Sequence, residues 1–153
     1  MRNRVIKSVV VMAALTLAGV ACNSPAPPAT AGSNSAGRRV FFEQPKSGDT
    51  IKTMSTLRFG NQQVTIAAVP PGTVTPEQVR AGMTHYHIGV DTDCLPPNTV
   101  IPKADPWIHF GDGKNEIEMQ LKPGQHKLVL QSGDDMHRTI EGLCETITVT
   151  VVE

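Results

Sequence analysis

Short stretches of the chain alternate apolar and polar residues, which is the pattern of half-buried β-strands. Ile117, Met119 and Leu121 alternate with polar residues over 116–121, and threonines alternate with aliphatic residues over 146–152. Similar strand-like stretches cover 40–43, 56–59, 64–69, 84–91 and 126–131. Turns rich in Pro and Gly separate many of these stretches. The pattern therefore predicts an all-β fold, an immunoglobulin-like antiparallel β-sandwich of about seven strands.

The N-terminus has a different pattern. Three basic residues precede an uncharged apolar run over Val9–Val20, and small residues then lead to Cys22. This order is typical of a secretory signal peptide, and the run is too short for a spanning helix. A cysteine after small residues resembles the bacterial lipobox, although Gly19 stands where leucine is usual. We expect a lipoprotein-type signal peptide over 1–21 and a lipid on Cys22, with cleavage by ordinary signal peptidase as the alternative.

A linker follows the signal over residues 22–37. After Cys22 it contains only Asn, Ser, Pro, Ala, Thr and Gly. Such a composition cannot bury enough apolar surface to offset chain entropy, so we expect this segment to be disordered. The β-sandwich domain then covers 38–153. Because Asn23 and not Asp follows the cysteine, the expected location is the bacterial cell envelope, lipid-anchored at the outer membrane and facing the periplasm.

Composition narrows the range of partners. The chain carries 14 Lys+Arg and 14 Asp+Glu, and three of the basic residues lie in 1–21. The rest of the chain is therefore mildly acidic, which argues against nucleic acid as a partner. Aromatic residues make up 4% of the chain, too few for a base-stacking surface. A membrane, reached through the lipid on Cys22, is the expected partner, and a protein or a cell-wall component is the other candidate.

The cysteines also fit an exported protein. If Cys22 carries lipid, Cys94 and Cys144 remain, which is an even number in an oxidising compartment. A bridge between them would close a loop of about 50 residues and stabilise the fold by about 4 kcal/mol in the chain-entropy model. Two free thiols and a metal site made of cysteine and histidine are the alternatives.

Histidines carry the candidate chemistry. Strand parity over 84–91 places His85, His87 and Asp91 on one face, opposite the apolar face. Two imidazoles about 6–7 Å apart on one side of a strand can both reach one metal ion. The His-x-His pair therefore predicts half of a metal site.

His109 and His137 complete the predicted site. His109 lies in a Trp-Ile-His-Phe-Gly stretch, and His137 closely follows Asp134. A set of imidazoles suits copper or zinc, and its affinity should fall in acid because only neutral imidazole binds a metal. Asp91 or Asp134 would accept a hydrogen bond from a ligand imidazole and so fix its tautomer.

Two other interpretations of the histidines stay open. In the first, they form a structural network in which carboxylates and backbone groups satisfy the imidazole nitrogens. In the second, they face an organic or protein ligand. His126 is set apart from the site, because it shares strand parity with Leu128 and Leu130 and is expected at the edge of the core.

Several motifs occur in an order that resembles a known family. They are Val40-Phe41-Phe42, His85-x-His87 with Asp91, His109-Phe110-Gly111-x-Gly113, Leu121-x-Pro123-Gly124-x-His126 and Gly133-Asp134-x-x-His137. As a set they resemble the bacterial exported family catalogued as domain of unknown function 4399. The resemblance implies an extracytoplasmic, immunoglobulin-like β domain and brings no established activity. Lys114-Asn115 and the Cys94/Cys144 pair depart from the usual pattern of the family.

Enzyme classes receive little support from the sequence. The chain has no Gly-x-Ser-x-Gly elbow and no Cys-x-x-Cys pair. Copper-zinc superoxide dismutase shares the His-x-His strand and the β-sandwich, but no histidine lies between Cys94 and Trp107 to hold a zinc ion in the same way.

The sequence thus favours a cell-envelope lipoprotein that binds copper or zinc through its His-x-His strand. One alternative is a non-catalytic envelope domain that binds a protein or a cell-wall component. The other alternative is a copper-dependent oxidoreductase.

Overall fold

The computed structural model describes residues 37–153, which contain nine strands and one short 3-10 helix at Pro76–Gln78. The strands are β1 (Arg39–Gln44), β2 (Thr50–Lys52), β3 (Met54–Gln62), β4 (Thr65–Ile66), β5 (Met83–Val90), β6 (Trp107–Phe110), β7 (Glu116–Gln120), β8 (Gly124–Gly133) and β9 (Thr139–Val152). The predicted signal peptide over 1–21, Cys22 and the linker up to residue 36 lie outside the described residues. Within 37–153, no helix has the length and apolar character needed to cross a bilayer.

The strands form two sheets. The smaller sheet has the order β1-β3-β7, and the larger has the order β2-β9-β8-β5-β4, with β6 also paired to β5. The prediction of an all-β, sandwich-like fold is confirmed. The sheets are mixed and not purely antiparallel, because β2 pairs in parallel with β9 and β4 with β5. The two strands that the alternation pattern missed, β2 and β6, have only three and four residues, too short to show a clear period.

The main core lies between the inner faces of the two sheets. Alternate residues of each strand supply it, as the two-residue period of a strand requires. Phe59 of β3 packs against Tyr86 of β5 with ring centroids 5.2 Å apart, and against Phe110 of β6 at 6.0 Å. Leu128 and Leu130 of β8 belong to the same buried cluster.

A second, smaller apolar cluster covers part of the opposite face of the larger sheet. It contains Ile101, Trp107 and Val129, with Leu95 packed against it. The loop between β5 and β6 carries two of these residues and lies over that face. The side chain of Gln131 accepts from the Leu95 N–H at 2.9 Å and donates to the Leu95 carbonyl at 2.9 Å, which fixes the loop on β8.

A disulfide joins the same loop to β9. Cys94 and Cys144 are bonded, with their Cα atoms 6.2 Å apart. The predicted bridge is confirmed, and the free-thiol and Cys–His metal alternatives for these residues are wrong. The bridge holds the β5–β6 loop beside the face of the sheet that carries the histidines.

Candidate metal centre

Four histidines from three parts of the fold converge at one place. His85 and His87 lie on β5, His109 lies on β6, and His137 lies in the turn between β8 and β9. One ring nitrogen from each side chain lies within 4.8 Å of the corresponding nitrogens of the other three. These are the four histidines that the sequence proposed as metal ligands, and the structure brings all of them together.

Strand parity puts the pair on β5 outside the main core. Tyr86 and Ile88 alternate with the histidines and point into the core between the sheets. His85 and His87 therefore point to the opposite face of the larger sheet. Their ring centroids are 4.5 Å apart.

Pairing between β5 and β6 brings in the third imidazole. His109 is directly opposite His87 in the antiparallel register, so the two side chains project from the same face. Gly111 comes two residues after His109, and a Cβ built at Gly111 would lie 2.6 Å from the His109 ring. A side chain at residue 111 would displace the imidazole, so this glycine makes room for the ligand.

A tight turn presents the fourth imidazole. His137 has a φ of +64°, a left-handed conformation that most residues avoid. The Asp134 carboxylate accepts from the N–H groups of Met136 at 2.8 Å and Arg138 at 2.9 Å, while the Asp134 carbonyl accepts from the His137 N–H at 2.8 Å. The carboxylate of Asp134 thus builds the turn that carries His137.

Gly133 is a second glycine that leaves room for the cluster. It pairs with His85 in the β5–β8 register, and a Cβ built there would lie 3.2 Å from the His87 ring and 3.2 Å from the His137 backbone. A larger residue would press on the His87 ring and on the backbone that carries His137. Gly111 and Gly133 belong to motifs that the sequence contains, but their packing role became visible only with the strand register.

His85 and His87 are buried without hydrogen-bond partners. Both residues are 0% exposed, and neither nitrogen of either ring has a partner among the described residues. His109 is exposed, and its Nε2 lies 3.0 Å from Nε2 of His137. A buried polar side chain that lacks partners costs about 1–3 kcal/mol, so this arrangement is not one that packing alone favours.

The electrostatics keep the cluster neutral. Burial, helped by the neighbouring imidazoles, lowers the pKa of His85 to about 3 and that of His87 to about 2. Burial also lowers the pKa of His109 and His137, and the Lys103 ammonium lowers them further. Neutral imidazole is the form that binds a metal. The loss of metal affinity in acid that the sequence predicted is therefore displaced toward lower pH.

The geometry fits a transition-metal ion after a small contraction. Two nitrogens bound to one metal at about 2.0–2.1 Å are at most about 4.2 Å apart. No pair of these nitrogens is more than 4.8 Å apart, so a shortening of at most about 0.6 Å brings every pair to that limit. The Nε2 atoms of His109 and His137, 3.0 Å apart, are already within the range of neighbouring ligands.

The two aspartates proposed as acceptors for ligand imidazoles have other contacts, which corrects that prediction. Asp91 has a φ of +54°, so its side chain no longer follows the alternation of faces along β5. Its carboxylate bonds to Nδ1 of His126 at 2.8 Å and accepts from the Lys127 N–H at 3.0 Å. Asp134 acts on the backbone of the turn and has no hydrogen bond to an imidazole among those described. His126 itself bonds to Asp91 and to the Lys122 carbonyl, away from the cluster, as its parity predicted.

One ion pair near the cluster was not predicted from the sequence. Asp135, whose side chain is 2% exposed, forms a two-pronged ion pair with Arg80, with contacts of 2.7 and 2.9 Å. Arg80 also donates to the Ala68 carbonyl at 2.7 Å. The two residues are 55 positions apart, and a lone arginine and a lone aspartate give no sequence signal of a pair. The pair anchors the loop between β4 and β5 next to His137.

Fold and site together define an all-β domain whose outer sheet face carries a four-histidine cluster. Residues 57–152 match the family described as Domain of unknown function (DUF4399), and the chain belongs to that family. The resemblance seen in the sequence motifs is thereby confirmed. Searches of curated proteins and of solved structures gave no match.

Proposed function

We propose that this domain binds one copper or zinc ion through His85, His87, His109 and His137. The observation that carries the proposal is the pair on β5, since both imidazoles are buried and all four of their ring nitrogens lack hydrogen-bond partners among residues 37–153. A metal ion would take one nitrogen from each ring and return part of the free energy that burial costs.

The same observation counts against a structural histidine network. A network requires each buried ring nitrogen to donate to or accept from a neighbouring group. Asp135, the buried carboxylate beside the cluster, is already paired with Arg80, and Asp134 binds backbone N–H groups. The carboxylates close to the cluster therefore do not satisfy His85 or His87.

The donor set favours copper or zinc over hard cations. All four candidate ligand atoms are imidazole nitrogens, which suit copper and zinc, whereas magnesium and calcium prefer oxygen ligands. Copper(II) stands highest among the first-row divalent ions in its affinity for such ligands. We therefore expect copper to bind more tightly than zinc to the isolated protein.

The proposed place of action is the bacterial cell envelope. The basic start, the apolar run and Cys22 support export and lipid anchoring, and Asn23 after the cysteine favours the outer membrane. A disulfide is typical of an oxidising compartment. Intact mass of membrane-extracted protein tests this part, since the expected mature chain begins at Cys22 and carries lipid. A soluble species that begins at an unmodified Cys22 would contradict the anchor.

Metal titration of the protein, purified without a His-tag and stripped with a chelator, tests the metal site. The wild type should bind one copper(II) ion per chain. His87→Ala should lower the affinity at least about 100-fold, because it removes a buried ligand. His126→Ala is the matched control and should bind like the wild type, since His126 lies outside the cluster. Equal binding by His87→Ala and the wild type would refute the proposed site.

A further inference from the structure

The histidine cluster opens on one side into a cavity of about 500 Å³. His109 and His137 line it, and Val69, Val74 and Met136 contribute apolar surface. Since one water occupies about 30 Å³ in the liquid, the cavity can hold a ligand larger than a single water molecule. His85 and His87 are fully buried and lie on the closed side of the cluster.

Hydrogen bonds fix the outer wall of this cavity. The Val69 N–H donates to the Gly111 carbonyl at 2.9 Å, and the Ala67 N–H donates to the Thr84 carbonyl at 2.9 Å. The Arg80–Asp135 ion pair anchors the other end of the same loop. The wall is therefore attached at one end to Thr84 and Gly111 and at the other end to the β8–β9 turn, so the open side of the cluster is part of the fold.

Lys103 gives the cavity its charge. Lys103 lies in the β5–β6 loop, which is held in place by two contacts. The Ile101 N–H donates to the His137 carbonyl at 2.9 Å, and the disulfide at Cys94 ties the loop to β9. Lys103 is therefore held at the rim of the cavity. The carboxylate of Asp135, which also lines the cavity, is neutralised by Arg80. Lys103 lines the same cavity as His109 and His137, which places its ammonium charge within electrostatic range of the cluster.

We infer that the bound metal carries an exogenous small anion on its cavity side, held between the metal and Lys103. This inference rests on the proposed function. Neutral imidazoles leave the charge of a divalent ion uncompensated, and the ammonium adds to it, so an anion is the ligand class that this side attracts. Copper(II), the ion expected to bind more tightly, accepts a further ligand beyond four nitrogens, whereas zinc held by four protein ligands is usually closed.

Azide titration of the copper(II)-loaded protein tests the inference. Azide should produce a saturable charge-transfer absorption band and a changed electron paramagnetic resonance spectrum. Lys103→Gln should weaken azide binding about threefold or more at low salt, the effect of one unit charge several ångströms away in a solvated site. Lys122→Gln removes the same charge on the β7–β8 turn and should leave azide affinity unchanged. Added imidazole, a neutral ligand, should bind both variants like the wild type.

The outcomes separate this inference from the metal site itself. A protein that binds copper through the histidines but shows no spectral response to azide has a closed coordination sphere, which overturns the inference and leaves the metal site standing. Equal losses in Lys103→Gln and Lys122→Gln would show an effect of net charge alone and overturn the role of Lys103. Failure to bind copper at all would refute the proposed function instead.

Discussion

Replacing His87 by leucine should leave the metal-free protein at least as stable as the wild type at pH 7. The substitution removes two buried ring nitrogens that have no partner and puts an apolar side chain of similar size in their place. Unsatisfied buried groups cost about 1–3 kcal/mol, so His87→Leu should range from unchanged to about 3 kcal/mol more stable. A side chain that is kept although it lowers the stability of the protein is typical of a functional site.

Lowering the pH should widen this difference. The pKa of His87 is about 2 in the folded protein against an ordinary value of 6.5, so the unfolded chain binds more protons below pH 6.5. The folded wild type therefore loses stability as the pH falls from 6.5 toward 2. At pH 5 the loss due to His87 is about 2 kcal/mol, and His87→Leu avoids it. The pKa of Asp135 is lowered from 3.8 mainly by Arg80, so the stability it adds is lost only at more acid pH.

Urea unfolding in chelator at pH 7 and pH 5 measures both effects. His126→Leu is the control, because His126 bonds to Asp91 and to the Lys122 carbonyl and its loss should destabilise the protein by about 1–2 kcal/mol. The reasoning is refuted if His87→Leu is destabilised by more than about 1 kcal/mol at pH 7 and its difference from the wild type is the same at pH 5.

Three further predictions concern the disulfide, the turn and the acid range. Cys144→Ser should lower the free energy of unfolding by about 4 kcal/mol, because the bridge spans 50 residues. Urea unfolding without reductant measures this loss, and a loss below about 1 kcal/mol would contradict the prediction. Asp134→Ala should weaken copper binding about tenfold in a competition titration. Asp134→Asn should lose less affinity, because asparagine keeps an oxygen that accepts from the N–H groups of the turn. Equal copper affinities of Asp134→Ala and the wild type would show that the turn does not position His137. Copper affinity should fall less than about 600-fold from pH 7 to pH 5, because His85 and His87 add no proton competition there and only two imidazoles remain to compete. A loss above about 10⁴-fold would place the metal on ordinary exposed imidazoles.

The local part of the fold and site was predictable from the sequence. The alternation around His85 and His87 shows which residues of β5 face the core, and the parity of β8 separates His126 from the site. The error at Asp91 has a local cause: its left-handed backbone ends the strand at Val90, so strand parity no longer applies one residue later.

The remaining features depend on contacts between distant parts of the chain. The Arg80–Asp135 pair and the position of Lys103 follow from how loops lie over the sheet, which no spacing pattern records. The parallel pairing of β2 with β9 joins Thr50 to Thr150, and three residues are too few to show a period. Residue type alone suggests that His109 and His137 join the pair on β5. The register of β5 with β6 is what brings in His109, and the turn built by Asp134 is what brings in His137.

A crystal structure of the copper-loaded protein, with anomalous scattering measured at the copper edge, tests the central claim most directly. The account predicts one copper ion per chain, bound by ring nitrogens of His85, His87, His109 and His137 at about 2.0–2.1 Å. An ion bound at other residues, or no ordered copper at one equivalent, would contradict it.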